Sequence, residues 1–154
     1  MNNLITEEGY KRLQEEFDRL KKQRPEIIKS ISVARAQGDL SENAEYHAAK
    51  EKQKFLENKI SEIAKRLGSV KVIKTSQINT DRVSFGSKVL LYDIDNDSEI
   101  SYRIVGQDET DPQNGMISVT SPIGRALIGK AVGEEVTIKI PSGIKHFEIE
   151  EITV

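Results

Sequence analysis

Two carboxylates lie three positions apart in the first half of the chain. The segment Gly38-Asp-Leu-Ser-Glu-Asn-Ala-Glu-Tyr46 contains Asp39 and Glu42. Carboxylate oxygens are the ligands that Mg²⁺ prefers, and this ion usually takes one or two of them while keeping waters or substrate oxygens. Two carboxylates alone would bind the ion weakly. The pair therefore predicts part of a metal site that a second protein would complete.

The same spacing has a second interpretation. D-x-x-E is a capping-box pattern, in which Asp39 would accept a hydrogen bond from the backbone N–H of Glu42 and begin a helix. Helix caps are much commoner than active sites, because every helix start leaves backbone donors without partners. A cap would also hold the carboxylates rigidly, as a shared metal site requires. Both interpretations stay open on the residues alone.

The elements around this segment follow a heptad pattern. Apolar or bulky residues recur at alternating steps of three and four, and residue numbers from the two series sum to 80 when paired in reverse. This register predicts an antiparallel coiled coil that turns at Leu40. The first series is Tyr10, Leu13, Phe17, Leu20, Arg24, Ile27, Ile31 and Ala34, and the second is Tyr46, Ala49, Gln53, Leu56, Ile60, Ile63 and Leu67.

Local signals define the ends of the two helices. Thr6 is the expected N-cap of the first helix, followed by two acidic residues in its first turn. Gly38 and Gly68 are expected to end the helices in a left-handed conformation. Pro25 should kink the first helix, because it lacks a backbone N–H. A hairpin of this length, about 50 Å, should project from the rest of the protein.

The sequence of the second half predicts a small antiparallel β domain with one short helix. The whole chain is therefore predicted to be α+β. Ser121-Pro122 is an N-cap followed by proline at the first helical position, and the helix should end at Gly129. We expect domains at 1–74 and 75–154, with the tip of the hairpin at 38–46. The expected strands are 88–92, 101–105, 116–119, 136–140 and one that contains Phe147 and Ile149.

Composition excludes several classes of protein. The chain has 154 residues and no Cys, so it forms no disulfide scaffold and no Cys-ligated metal site. No run approaches the roughly 20 apolar residues of a membrane helix, and we expect a cytoplasmic protein. Residues 1–74 carry 16 Lys or Arg and 12 Asp or Glu, whereas residues 75–154 carry 7 and 13. The lysines after the tip are either a solvated flank or a guide for nucleic acid.

The tip string through Gln53 closely resembles the bacterial Gre transcript-cleavage factors. The resemblance continues at Arg24-Pro-Glu-Ile-Ile28, at Ser101-Tyr-Arg-Ile-Val-Gly106 and at 117–130, and it covers essentially the whole chain. It implies an FKBP-like fold for the second half. It also implies a factor that binds RNA polymerase, inserts the hairpin into the secondary channel and stimulates cleavage of backtracked nascent RNA by the polymerase itself.

The resemblance also implies roles for individual residues. Asp39 and Glu42 match the acidic pair that helps to hold a Mg²⁺ ion shared with the polymerase, and no tightly bound cofactor is expected. DNA would be contacted only through the transcription complex, and the factor would be a monomer without membrane contact. The residues expected to support the tip are Ser41, Asn43, Glu45 and Tyr46. Those expected to bind the polymerase are Thr120, Ser121, Pro122 and Ile123. Those expected to lie near the RNA are Arg35, Lys50, Lys52 and Lys54.

Three alternatives compete with this interpretation. A noncleaving regulator could use the same scaffold and channel, although the intact acidic pair argues against it. A prolyl isomerase is suggested by the FKBP-like half, but such pockets are lined by aromatic residues and this half has few. A coiled-coil chaperone would need exposed apolar residues at the tip, where only Leu40 qualifies.

Overall fold

The computed structural model describes residues 3–39 and 43–154. The chain forms two compact units. One combines the N-terminal segment through Tyr10 with Val70–Val154, and the other is Lys11–Ser69. The first residues of the chain thus belong to the same unit as its second half.

Three helices build the hairpin: α1 (Glu7–Lys22), α2 (Arg24–Arg35) and α3 (Ala44–Ser69). Their apolar core confirms the predicted seam. Leu20, Leu56 and Ile60 are buried together, and Phe17, Ile27 and Ile63 pack against them. Six of the predicted seam positions therefore face one another across the hairpin.

The first helix is divided at Gln23, close to the predicted kink. Pro25 has no N–H to donate to the preceding turn. The backbone N–H of Gln23 donates to the carbonyl of Leu20 at 3.1 Å, and that of Ile27 donates to the carbonyl of Gln23 at 3.2 Å. One helix closes and the next begins around this residue.

Neither glycine ends its helix as predicted. The helix α2 ends at Arg35 with Ala36 as its C-cap, and Gly38 lies two residues beyond that cap with a φ of +125°, a conformation that favours glycine. The prediction at Gly68 is wrong, because α3 continues through it to Ser69. The cost of glycine within a helix is only about 1 kcal/mol, which the hydrogen bonding of a long helix outweighs.

Two short strands flank the hairpin in sequence. β1 (Leu4–Thr6) and β2 (Lys71–Ile73) pair in parallel, with Ile5 opposite Val72. Thr6 then caps α1 as predicted, since its hydroxyl accepts a hydrogen bond from the N–H of Gly9 at 3.1 Å.

A buried carboxylate holds this N-terminal segment in place. Glu109 is only 7 % exposed. It accepts hydrogen bonds from the N–H of Thr6 at 3.1 Å, from the N–H of Gly106 at 3.0 Å and from the Thr6 hydroxyl. The sequence analysis missed this residue, because its partner Thr6 lies far away along the chain.

A five-stranded sheet and a short helix form the second half, which confirms the α+β class. The elements are β3 (Lys88–Asp93), β4 (Ser98–Val105), β5 (Met116–Ser118), α4 (Pro122–Leu127), β6 (Glu135–Ile140) and β7 (Gly143–Thr153). The order across the sheet is β5-β4-β3-β7-β6.

The sheet is mixed, whereas the sequence predicted only antiparallel pairs. β4 and β5 run parallel, with Ile104 opposite Ile117. Parallel neighbours need a crossover connection rather than a tight turn. Residues 106–115, which contain two short 3₁₀ turns, supply that connection.

The core of this unit lies on one face of the sheet. Val89, Leu91, Ile104, Leu127, Phe147 and Ile149 are among its buried residues. The pairing of β3 with β7 shifts between Leu90 and Leu91, which leaves Glu150 as a bulge. The shift changes the alternation of β7, so that Ile152 is buried as well.

Candidate functional site

The predicted tip, residues 38–46, begins in the loop that follows α2 and ends in the first turn of α3. Asp39 lies in this loop, is exposed and precedes α3 by several residues. Glu42 and Ser41, predicted as an acidic ligand and a supporting residue, lie outside the described residues. The same holds for Leu40, predicted at the turn of the hairpin. The roles of these three residues stay predictions.

Asn43 is the N-cap of α3, which begins at Ala44. The predicted hydrogen bond from the N–H of Glu42 to Asp39 involves a residue outside the described ranges and stays a prediction. The side-chain oxygen of Asn43 accepts a hydrogen bond from the N–H of Tyr46 at 3.1 Å. Asparagine ranks with aspartate as an N-cap, because both present an oxygen to the first free N–H groups of a helix. With α3 beginning at Ala44, Asp39 is left on the loop instead of the helix.

The same side chain also reaches across the loop. The Nδ2 of Asn43 donates to the carbonyl oxygen of Ala34 at 2.7 Å. Ala34 belongs to the last turn of α2, where carbonyl oxygens lack a donor within the helix. Its carbonyl also accepts from the N–H of Gln37 at 3.2 Å. One amide thus joins the end of α2 to the start of α3 and fixes both ends of the loop that carries Asp39.

The other two supporting positions lie in the first turn of α3. Glu45 is exposed. Tyr46 is half-buried, and its ring meets that of His47 edge-on at a centroid distance of 5.7 Å. Their roles at the tip stay predictions.

Arg35, Lys50, Lys52 and Lys54, predicted to lie near RNA, are all exposed. They do not share one surface. Lys50 and Lys54 line a groove along α3 with His47 and Glu57, whereas Lys52 lines a second groove between α2 and α3 with Val33. The charges are therefore spread around the hairpin.

An ion pair that the sequence analysis missed lies where α2 begins. The Nε and Nη2 atoms of Arg24 donate to the two carboxylate oxygens of Glu57 at 2.7 and 2.8 Å. The hydrogen bond to Glu57 raises the pKa of Arg24, and the hydrogen bond from Arg24 lowers the pKa of Glu57. The predicted register placed Leu56 opposite Arg24, whereas the residue that pairs with Arg24 is the next one along α3, Glu57.

The second predicted site is the start of α4, and its backbone is tightly determined. Ser121 caps the helix as predicted: its Oγ accepts from the N–H of Gly124 at 3.0 Å. The same hydroxyl donates to the carbonyl of Ser118 at 2.6 Å. A Cβ at Gly124 would clash with that carbonyl, so only glycine fits.

The four predicted binding residues at this turn face different surroundings. Pro122 is exposed. The Thr120 hydroxyl shares a hydrogen bond with that of Ser118 at 2.8 Å, and Ile123 packs against the core. Thr120, Ser121 and Ile123 thus shape the turn, while Pro122 is presented to solvent.

Comparison with known proteins identifies the family. Residues 3–72 match the family described as transcription elongation factor, N-terminal, and residues 78–154 match the C-terminal family of transcription elongation factors GreA/GreB. The chain therefore belongs to the GreA/GreB family of transcription elongation factors, which confirms the resemblance. None of the helices in the described part of the chain combines the length and apolar character that crossing a membrane requires.

Relatives match over nearly the full length of the chain. The transcription elongation factor GreA of Thermodesulfovibrio yellowstonii is 55 % identical over 97 % of this chain and 95 % of its own. That of Syntrophotalea carbinolica is 50 % identical over 96 % and 94 %. Among solved structures, GreA factor homolog 1 of Thermus thermophilus matches with a TM-score of 0.45 and 24 % identity over the whole of both chains.

Proposed function

We propose that this elongation factor binds RNA polymerase and stimulates the polymerase to cleave its own backtracked transcript. The observation that carries the proposal is the exposed position of Asp39 between α2 and α3, whose facing ends are joined by the hydrogen bond from Asn43 to the carbonyl of Ala34. The exposed carboxylate follows the end of α2, on the loop that leads to α3. Such a ligand suits a site that a partner completes.

The shared ion would be Mg²⁺. Hydrolysis of a phosphodiester by two metal ions uses one ion to lower the pKa of the attacking water and both to stabilise developing charge. Within residues 3–39 and 43–154, no three His, Asp or Glu side chains gather into a group that could hold a metal. Two carboxylate donors, Asp39 and Glu42, fit an ion whose other ligands come from the polymerase and the RNA.

This chain's own residues would act by position and charge. Asp39 and Glu42 would accept metal or water ligands, and Asn43 would keep their loop in place. The turn at 120–123 would bind the polymerase. Arg35, Lys50, Lys52 and Lys54 would attract the extruded RNA, with DNA contacted only through the transcription complex. The factor would work in the cytoplasm as a monomer.

Transcript cleavage in stalled, backtracked complexes tests the proposal. Wild-type protein should shorten the RNA, whereas Asp39→Ala and Glu42→Ala should lower the maximal cleavage rate at least tenfold and leave the concentration for half-maximal effect within about threefold. Glu51→Ala is the matched control, since Glu51 is an exposed acid on α3 away from the loop. Cleavage at the wild-type rate by both tip variants would refute the metal role.

A further inference from the structure

The part of the hairpin nearest the tip has little apolar packing of its own. We call residues 24–57 the distal segment. Its buried side chains, among the residues described, are Ala34, Ala49 and Leu56. The larger apolar cluster around Leu20 and Ile60 reaches only the base of this segment, where it includes Leu56 and contacts Ile27. Alanines bury little apolar area, so packing alone fixes this segment only weakly.

The backbone is also weakened at the base of this segment. Pro25 contributes no N–H across the junction between α1 and α2, where the N–H of Ile27 still donates to the carbonyl of Gln23 at 3.2 Å. Proline is a common cause of helix kinks, so α2 can tilt against α1 at this point. Contacts with α3 therefore help to set the direction of α2.

The pair between Arg24 and Glu57 lies at this junction. Arg24 is the first residue of α2, and Glu57 lies on α3. Two hydrogen bonds of 2.7 and 2.8 Å join two guanidinium nitrogens to the two carboxylate oxygens. A bidentate pair constrains rotation as well as distance, which a single point contact does not.

Stability alone does not account for this pair. Its side chains are 39 % and 44 % exposed, and exposed ion pairs contribute about 0–1 kcal/mol. Position is the more demanding requirement. The helix α2 extends about 17 Å beyond Arg24, so a tilt of about 10° would move its end by about 3 Å. Catalytic groups must be held to within about 0.5 Å.

We propose that Arg24 and Glu57 are positioning residues, whose ion pair sets the direction and register of the distal segment and thereby places Asp39 and Glu42 for transcript cleavage. This inference rests on the proposed function. Arg24 and Glu57 are assigned no part in holding the metal. They act by locking α2 against α3 on the tip side of the break at Gln23.

Charge exchange tests the proposal in the full chain. Arg24→Glu and Glu57→Arg should each lower the maximal cleavage rate at least tenfold, because each places like charges together. The concentration for half-maximal effect should stay within about twofold. The double exchange should return the rate to within about threefold of wild type. Unchanged rates in both single variants, or a double variant as slow as the singles, would overturn the proposal.

Two further variants control for charge and for folding. Arg19→Glu removes the exposed pair with Glu16 on α1, which is 3.7 Å long, and should leave cleavage unchanged. Arg24→Lys keeps the charge but not the bidentate geometry, and should lower the rate about threefold or more. If the charge reversals unfold the hairpin, Arg24→Lys still tests the positioning role, because a wild-type cleavage rate in this variant would contradict that role.

Hydrogen exchange separates this inference from the proposed function. In free protein, the amides of the first turns of α3 should exchange at least threefold faster in Arg24→Glu than in wild type, and the double exchange should restore protection. If wild-type protein stimulates no cleavage, the proposed function fails, while this measurement still tests whether the ion pair of Arg24 and Glu57 orders the distal segment. If cleavage occurs but amide protection and cleavage rate are both insensitive to the pair, the positioning role fails and the proposed function stands.

Discussion

The amide group of Asn43 bonds to both helices of the hairpin at once. Its nitrogen donates to the carbonyl oxygen of Ala34 at 2.7 Å, and its oxygen accepts from the N–H of Tyr46 at 3.1 Å. The two bonds can be separated by substitution, because a carboxylate keeps the acceptor and loses the donor.

Asn43→Asp should leave α3 capped, with a free energy of unfolding within about 0.5 kcal/mol of wild type. Maximal cleavage should nevertheless fall several-fold, since the carboxylate repels the Ala34 carbonyl and releases one end of the loop. Asn43→Ala removes both bonds and should also lose about 1 kcal/mol of stability. Urea unfolding and the cleavage assay measure the two effects. Full cleavage by Asn43→Asp would mean that the bond across the loop does not position Asp39.

Glu109→Ala should lower the free energy of unfolding by at least about 2 kcal/mol. The N–H groups of Thr6 and Gly106 would lose their acceptor, and each unsatisfied buried donor costs about 1–3 kcal/mol. Gly9→Ala should be similarly harmful, because its Cβ would clash with the Glu109 carboxylate.

Gly68→Ala is the matched control for Gly9→Ala. A Cβ at Gly68 meets nothing within 4 Å, and alanine favours a helix over glycine by about 1 kcal/mol. This variant should therefore be more stable than wild type. Denaturant unfolding of all three proteins gives the comparison, and equal stabilities for the two glycine variants would contradict the packing described at Gly9.

Ser121→Ala should weaken polymerase binding more than catalysis. It removes the acceptor for the Gly124 N–H and the donor to the Ser118 carbonyl, at a cost of about 1 kcal/mol. The concentration for half-maximal cleavage should rise several-fold while the maximal rate stays near wild type. Thr137→Ala, an exposed change on β6, is the control. A lowered maximal rate with unchanged half-saturation would show that this turn does not serve binding.

Glu150→Gln should stabilise the protein at neutral pH. Desolvation, together with the charges of Glu99 and Glu148, raises the pKa of Glu150, so the fold disfavours its ionised form. Ionisation therefore lowers stability as the pH rises through the unfolded and then the folded pKa. The gain from the substitution should disappear near pH 3, where wild type is protonated in both states. Urea midpoints at pH 7 and pH 3 check this.

Asp93→Asn should show the opposite pH dependence. Hydrogen bonds from the Asn96 side chain and from the backbone of Asn96 and Asp95 lower the pKa of Asp93. Its contribution is present above the unfolded pKa of about 3.9 and is lost as the pH falls through the lower folded value. The variant should be less stable than wild type at pH 7, with a smaller difference at pH 2. A constant difference across this range would contradict the assigned role of the charge.

Local and periodic features were predictable from the sequence. The seam pairing of Leu20 with Ile60, the cap at Thr6 and the cap at Ser121 each depend on residues within one helix or on a repeat along two helices. Such patterns report directly on local backbone geometry. They were sufficient for the helices and for most of the strands.

Long-range polar contacts were not predictable in the same way. Glu109 reads as an ordinary surface acid in a polar stretch, and only the fold brings it to Thr6. The cap at Asn43 competed with a complete D-x-x-E pattern at Asp39, and a pattern does not reveal where a helix starts when two candidates are four residues apart. Charge complementarity one position from the seam could have suggested Glu57 as the partner of Arg24.

The parallel pairing of β1 with β2 has a consequence for how such proteins can be recombined. The chain leaves the first compact unit after Tyr10 and re-enters it at Val70. Close to these two positions, β1 and β2 pair with each other, with Leu4 opposite Lys71. The hairpin is thus inserted in sequence between two chain segments that form one compact unit. Hairpins from different relatives could be exchanged between residues 11 and 69 without cutting a strand, and each chimaera would combine the tip of one relative with the β domain of another.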